Sequence, residues 1–460
     1  MTDERIPPPA APRFVPPADP RTVPRTVPPT RGRAAARHAR RVGPAARTAV
    51  AALLAGGCAA RAPMMGRSPL DLEDTPPPGK GGVIYTATPS PGPSPTPSVA
   101  ATVVVEPPEP LQLEPGFKAS VFADAVGPVG RLARAPNGDV FASLAREDKI
   151  VVLPDRNADG VADHVSVWWE GNGLNNPDGM AFWGDSLWVA NEDGLVRFGY
   201  RDGDLVAGGA PESVVPLPAG GRVRGRPLAV NRQGQLFMGV GASCNACVES
   251  DIRRATVLRI NTDGSRTSRY SSGFRAPSGI AIAPSGGDIW VTDRGRDDLG
   301  DAFPPDELNR LSPGEDFGWP FCAGDRKPDP QLGATAAMCA ASQAPVIAFP
   351  PHIGLMGAVF YDGRMFPPEF RGGLFVATHG SDVQIMLQAY KILFLPFANG
   401  VPTGVVRDFA TGWMKPDTRL WGRPTDVLVA PDGSLLIADD GGNRVFRVIY
   451  APIATATPPL

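Results

Sequence analysis

One local pattern returns six times between residues 132 and 436, and it restricts the fold of this chain more than any other feature. Each copy is a short apolar run, a turn rich in Pro, Asn, Asp or Gly, and a second β-rich run. The copies are Leu132–Phe141, Met180–Trp188, Leu228–Phe237, Ile280–Trp290, a stretched copy from Ala358–Gly363 to Leu374–Ala377, and Val427–Leu436. The first three spacings are 48, 48 and 52 residues, and later ones are longer and carry inserted loops. Two alternating runs joined by such a turn make a β-hairpin. A hairpin recurring every 40–50 residues or so predicts a propeller blade. Long amphipathic helical patterns are nearly absent, which argues against α/β barrels and doubly wound sheets, and the even repeat argues against a two-sheet sandwich. The expected fold is all-β, a six-bladed β-propeller over residues 112–450. The runs Phe117–Phe122 and Arg444–Tyr450 are expected to share a blade and so close the ring without a long exposed edge.

The first 110 residues differ in kind. Residues 1–47 are rich in Pro, Arg and Ala and hold too little apolar surface to offset chain entropy. The run Thr48–Cys58, preceded by Arg40, Arg41 and Arg47, reads as a signal-peptide core, too short for the ~20 apolar residues of a membrane span. Small residues leading into Cys58 resemble a bacterial lipobox, so residues 1–58 are expected to be a leader with a lipid anchor at Cys58. The other reading is ordinary secretion, with Cys58 lost in the cleaved peptide. Residues 59–111, with Pro76-Pro77-Pro78 and alternating Pro from Pro89 to Pro97, are expected to be a disordered, semi-rigid linker. Residues 451–460 are expected to be a disordered tail. The formal net charge of -2 argues against a nucleic-acid partner.

Four of the five Cys lie in the repeat region. Cys244-Asn245-Ala246-Cys247 is followed by Val248, so it is not a haem attachment site. Zinc would require Cys322 and Cys339 as further ligands. The expected arrangement in an exported protein is two disulfides, Cys244–Cys247 and Cys322–Cys339, the second stapling an inserted loop between blades four and five. Asp155, Asn157, Asp159 and Asp163, with Gly160, occupy positions 1, 3, 5, 9 and 6 of a calcium loop, but Ser166 stands where the bidentate Glu belongs. This is either a Ca²⁺ site or a polar turn. Asp297, Asp298, Asp301, Asp306 and Glu307 form an acidic stretch that either binds a cation or is solvated.

Several ordered segments resemble the pyrroloquinoline quinone (PQQ)-dependent soluble glucose/sorbosone dehydrogenases. They are Arg275-Ala-Pro-Ser-Gly-Ile-Ala281, Trp290–Gly300, Pro305-Asp-Glu-Leu-Asn309, Phe317-Gly-Trp-Pro320, Leu374–Ser381 and Gly422-Arg-Pro-Thr-Asp-Val427. The resemblance implies a cell-envelope or extracellular enzyme that oxidises a sugar or other alcohol with PQQ and Ca²⁺ at the top centre of the propeller and passes electrons to an external acceptor. PQQ carries three carboxylates, which arginines clamp best. Ca²⁺ polarises the quinone carbonyl, and a general base takes the substrate proton. On the matching positions, Arg275 is the active-site arginine and Arg423 holds a PQQ carboxylate. The carbonyls of Gly295 and Arg296 reach Ca²⁺, and His352 and His379 line the cofactor face. The sequence departs from the family pattern at the base. Gly221–Gly225 carries no His, Ala276 replaces an Asn, and Ala242-Ser243 stands where an acid is expected. The base is therefore sought among His352, His379 and Asp178. The alternatives are a propeller that binds carbohydrate or a partner without turnover, and a metal-dependent lactonase using the acidic stretch.

Overall fold

The computed structural model describes residues 104–381 and 388–452. The leader with Cys58, the linker through residue 103 and the tail from residue 453 lie outside the described residues. Each of the six repeats is the innermost strand, the turn and the second strand of one blade. The innermost strands are Arg131–Arg134, Met180–Trp183, Leu228–Val230, Pro277–Ile282, Leu355–Phe360 and Pro424–Val429 for blades 1 to 6. Each opens an antiparallel sheet of at least four strands. The turn residues explain the repeated Gly. Gly138 and Gly433 sit at φ +98° and +87°, a region open to Gly at no steric cost.

The last blade is assembled from both ends of the repeat region. Phe117–Ala123 pairs antiparallel with Arg444–Tyr450, with Phe117 opposite Tyr450, as the sequence predicts. A strand that the repeat pattern does not announce, Gln112–Leu113, adds to the outer edge of blade 5 opposite Thr411 and Ala410. The inserted loop stapled by Cys322–Cys339 belongs within blade 4, between its third strand, Asp306–Leu311, and its fourth, Ile347–Phe349. The expectation that it joins blades four and five is thus corrected: the short strand Ile347–Phe349, which completes blade 4, has too few alternating residues to be seen in sequence.

Apolar clusters bridge neighbouring blades. Phe141 and Trp168 of blade 1 pack edge-on (5.3 Å between ring centres), and Trp168 meets Phe198 of blade 2 at 5.1 Å. Trp188 and Leu236 join blades 2 and 3, and Phe237 and Val291 join blades 3 and 4. A large cluster around Phe375 and Phe409 spans blades 4 to 6, and Leu436, Val445 and Val140 close the ring from blade 6 to blade 1. Burial on both faces is why the inner strands read as nearly continuous apolar runs.

The axis is plugged by a polar side chain. Arg131 donates from Nε to Asp178 (2.9 Å), from Nη2 to the Ser278 carbonyl (2.5 Å) and from Nη1 to the Thr425 carbonyl (3.4 Å). These partners lie at blades 2, 4 and 6, so one guanidinium spans the ring. Asp178 also accepts from the Arg226 amide at 2.6 Å. No helix among the described residues is long and apolar enough to cross a membrane.

Candidate functional site

The inner strands leave a cavity at either end. The larger, about 740 Å³, lies at their C-terminal ends among Leu132, Phe182, Ile282, Phe360 and Leu428, and its walls are mostly apolar side chains. The smaller, about 280 Å³, lies at their N-terminal ends and holds the titratable chemistry.

Arg275 enters the smaller cavity from the segment before blade 4. The main-chain amides of Arg275 and Ala276 both donate to Asp293, at 3.1 and 2.6 Å, which fixes the direction of the chain. The guanidinium is buried and each of its edges is held. Nη1 donates to the carbonyls of Gly295 (2.8 Å) and Arg294 (3.3 Å), while Nε and Nη2 donate to Asn245 Oδ1 at 3.1 and 2.7 Å. Asp297 lies 3.6 Å from Nη2 and also accepts from Arg222 at 3.2 Å. Burial lowers the Arg275 pKa to about 10, which leaves the group charged at neutral pH. Arg222 and Arg294 line the same cavity, and Arg294 Nε finds no partner among the described residues.

His352 lies opposite. Its Nε2 is 2.9 Å from the Gly300 carbonyl, which can only accept, so Nε2 carries the hydrogen. A neutral ring then has its lone pair on Nδ1, which has no hydrogen-bond partner among the described residues and sits 3.9 Å from Asp297. The residue is held at φ +63°, a region a β-substituted residue seldom occupies. Two residues on, Gly354 (φ +70°) approaches Gly380 so closely that a Cβ there would lie 2.3 Å from the Gly380 carbonyl oxygen. His379 N–H donates to Gly354 O and Gly380 N–H to Ile353 O, both at 2.9 Å, which seals the blade 5 side.

The other sequence-predicted residues divide sharply. Gly295, Asp297 and Asp306 share the cavity with Arg275 and His352. His379 sits just behind the wall made by Gly380 and Ser381, with Nε2 at 3.1 Å from Asp440. Arg423 reaches that wall through the Ser381 carbonyl (3.0 Å) and lies over the Tyr390 ring, but is not itself in the cavity lining. Asp178 is bound up at the axis by Arg131 and is not in the lining either. Arg296 turns its side chain away, to Asp298, Asp329 and Gln331.

The acidic stretch is not one cluster. Asp298 is neutralised by Arg296, Asp297 by arginines, and Asp306 and Glu307 point to opposite faces of one strand. Among the described residues, no three of those carboxylates come within 4.8 Å of one another, and neither do Asp155, Asp159 and Asp163. In that loop Asp155 accepts from the amides of Asp159 and Gly160, and Asn157 Oδ1 accepts from Asp159, so the oxygens close turns. Both expected disulfides are present.

Sequence reading missed Asn245, Arg294 and Asp293, and it placed Glu307 in the acidic stretch without its buried pairing with Asp293. These two are direct cross-strand partners in blade 4. Burial, then repulsion from Glu307, pushes Asp293 up to about 8, and burial pushes Glu307 up to about 7. Both bind protons more tightly folded than unfolded. Their contribution to stability is therefore complete below the ordinary carboxylate range and is lost as pH rises through about 7 to 8. Glu307→Gln removes one ionisation and keeps an acceptor for the Gly324 amide; Asn309, which now donates from Nδ2 to the carboxylate, accepts from the Gln amide once it turns its own amide over and presents Oδ1, which has no partner among the described residues. The variant is expected to match the wild type in thermal unfolding near pH 4.5 and to exceed it at about pH 9 by roughly 2–3 kcal/mol. Parallel pH dependence in the two proteins would count against ionisation of Glu307.

Comparisons with known proteins fit this architecture. The chain is 31% identical over 232 residues to an uncharacterized protein of Borreliella burgdorferi, covering 50% of this chain and 61% of that one. It is 27% identical over 197 residues to the aldose sugar dehydrogenase YliI of Escherichia coli, covering 41% of this chain and 46% of that one. The chain thus spans about half to three-fifths of these curated relatives. The holo PQQ domain of pyranose dehydrogenase from Coprinopsis cinerea superposes with a TM-score of 0.66 at 17% identity, over 76% of this chain and 99% of that one. The PQQ-bound aldose sugar dehydrogenase of Streptomyces coelicolor gives 0.54 at 18% identity, over 74% and 99%. At such identities the likeness speaks for the fold. The profile of the glucose/sorbosone dehydrogenases matches residues 214–447, half of the chain, and with the six-bladed ring this makes the chain a member of the glucose/sorbosone dehydrogenase family.

Proposed function

We propose that this chain is an extracytoplasmic dehydrogenase that oxidises a hydroxyl of a sugar or related alcohol, with PQQ and Ca²⁺ taken up in the 280 Å³ cavity. The observation that carries this reading is the convergence of Arg275, Arg222 and Arg294 on one enclosed space, with two buried nitrogens, Arg294 Nε and His352 Nδ1, left without partners among the described residues. Such a space suits a rigid polyanion, and its volume is close to the lower end of small-molecule pockets, roughly 300 Å³. PQQ supplies a two-electron acceptor when bound, and Ca²⁺ polarises it.

The chain's own residues do the rest. Arg275 and Arg294 would meet the cofactor carboxylates, in a low-dielectric site that strengthens such bonds. The Gly295 carbonyl and Asp297, which now accept from or face arginines, would be the oxygen donors to Ca²⁺. His352 Nδ1, its lone pair fixed by the Gly300 contact, accepts the substrate hydroxyl proton, a role that Asp178 cannot fill while engaged with Arg131. Arg423 and His379 brace the Gly380–Ser381 wall. Two disulfides support an oxidising compartment, electrons leave to an external acceptor, and a lipid at Cys58 would hold the protein at the membrane.

Titration of the purified protein with PQQ in Ca²⁺, followed by dye reduction with aldoses, sorbosone and simple alcohols, tests the proposal. Saturable uptake with reduction supports it. Uptake without reduction would make the chain a binding propeller, and lactone hydrolysis without uptake would make it a lactonase.

A further inference from the structure

The loop 243–249 is built as a clamp on Arg275. Asn245 stands between Cys244 and Cys247, and the disulfide closes the four-residue ring around it. Its Oδ1 takes both Nε–H and Nη2–H of Arg275, at 3.1 and 2.7 Å. Nearby Asp298 is held below the usual carboxylate range mainly by Arg296, and the Asn245 side chain adds to that lowering. The two bonds from Arg275, which can only donate, fix the orientation of the amide, with its oxygen toward the cation. Asp298 is paired with Arg296, which is paired with Asp329 of the inserted loop. The base of the clamp is latched independently: Ser243 N and Oγ donate to the two oxygens of Glu249 at 2.6 and 2.7 Å. A short polar loop has no apolar anchor to hold an amide in place, and here a covalent ring takes that part.

The two disulfides also differ in access. Cys322 and Cys339 are buried, at 5% and 0% exposure, whereas Cys244 and Cys247 are half-buried at the rim. A thiol reagent therefore meets the rim disulfide first.

We infer that Asn245 is the positioning residue for Arg275, and that the Cys244–Cys247 disulfide is a redox-sensitive latch that sets how firmly the cavity holds a polyanionic ligand. The ligand side of this inference rests on the proposed PQQ site; the clamp itself does not. Reduction consumes one dithiol, which leaves as its cyclic disulfide, and delivers two electrons and two protons to give the Cys244 and Cys247 thiols. The ring opens, Asn245 gains freedom, and the Arg275 fork loses its acceptor.

The test reads Arg275 directly. The folded protein is treated with phenylglyoxal, which condenses with accessible guanidinium groups, and labelling of each arginine is followed by mass spectrometry. Arg275 is expected to be protected in the oxidised wild type. Labelling should rise about ten-fold in Asn245→Ala, in Cys244→Ser/Cys247→Ser, and after brief dithiothreitol treatment that leaves Cys322–Cys339 intact. Arg224, exposed and outside the clamp, serves as the internal control and should be unchanged. PQQ affinity should fall about ten-fold in the same three samples while the melting temperature of Asn245→Ala stays close to wild type. Equal Arg275 labelling in all samples overturns the clamp, even if PQQ binds the wild type. If no PQQ binds the wild type, the functional reading fails, and the labelling result still decides the clamp.

Discussion

Arg275→Ala is expected to lose PQQ uptake by at least about 100-fold, and Arg275→Lys by about ten-fold. A buried, charge-assisted hydrogen bond to a carboxylate contributes about 1.5–3 kcal/mol, and truncation also strands the acceptors that now face the guanidinium. Those acceptors are Asn245 Oδ1 and the carbonyls of Gly295 and Arg294, with Asp297 at 3.6 Å. Lysine restores the charge but not the planar fork, so part of the affinity returns. Arg423→Ala is expected to cost only a few-fold, because that guanidinium meets the cavity wall at second hand, through the Ser381 carbonyl. Absorbance titration in saturating Ca²⁺ measures all three. Uptake by Arg275→Ala equal to wild type would remove the central premise of the functional proposal.

The contrast between Arg275 and Arg423 shows what a sequence can disclose here. The ring was legible because the hairpin is repeated, and its apolar runs and Gly turns are local features that survive without knowledge of neighbours. Closure by Phe117–Ala123 was legible for the same reason. Arg275 and His352 were found from short ordered segments, and both do face one cavity. Linear proximity was a poorer guide, although it did pair Cys244 with Cys247. Asp306 and Glu307 sit side by side in sequence, yet strand alternation sends one to the amides of Gly295 and Gly354 and the other to Gly324. Asp178 looked like an available acid at a strand end, but Arg131, 47 residues upstream, takes it at the axis. Asn245 gave no signal at all. Its partner, Arg275, lies 30 residues away and is brought to it by blade packing, and only coordinates reveal such long-range company.

His352 carries the second large prediction. Its Nε2–H is committed to the Gly300 carbonyl, and its Nδ1 is left open beside Asp297 in the cavity. That is the tautomer a general base requires, and removing such a base typically costs about 10²- to 10⁴-fold in rate. Two replacements separate chemistry from scaffolding. His352→Gln can keep a donor for Gly300 but must adopt φ +63° with a residue ill suited to it, whereas His352→Asn tolerates that backbone and lacks the reach. Both are expected to reduce kcat about 100-fold or more while PQQ affinity changes less than about three-fold. His379→Gln is the comparison: its ring is tied to Asp440 behind the wall, so its rate should remain within about ten-fold of wild type. Full turnover in both His352 variants would move the proton to another acceptor, and Asp297, the cavity carboxylate 3.9 Å from His352 Nδ1, would be the next residue to test.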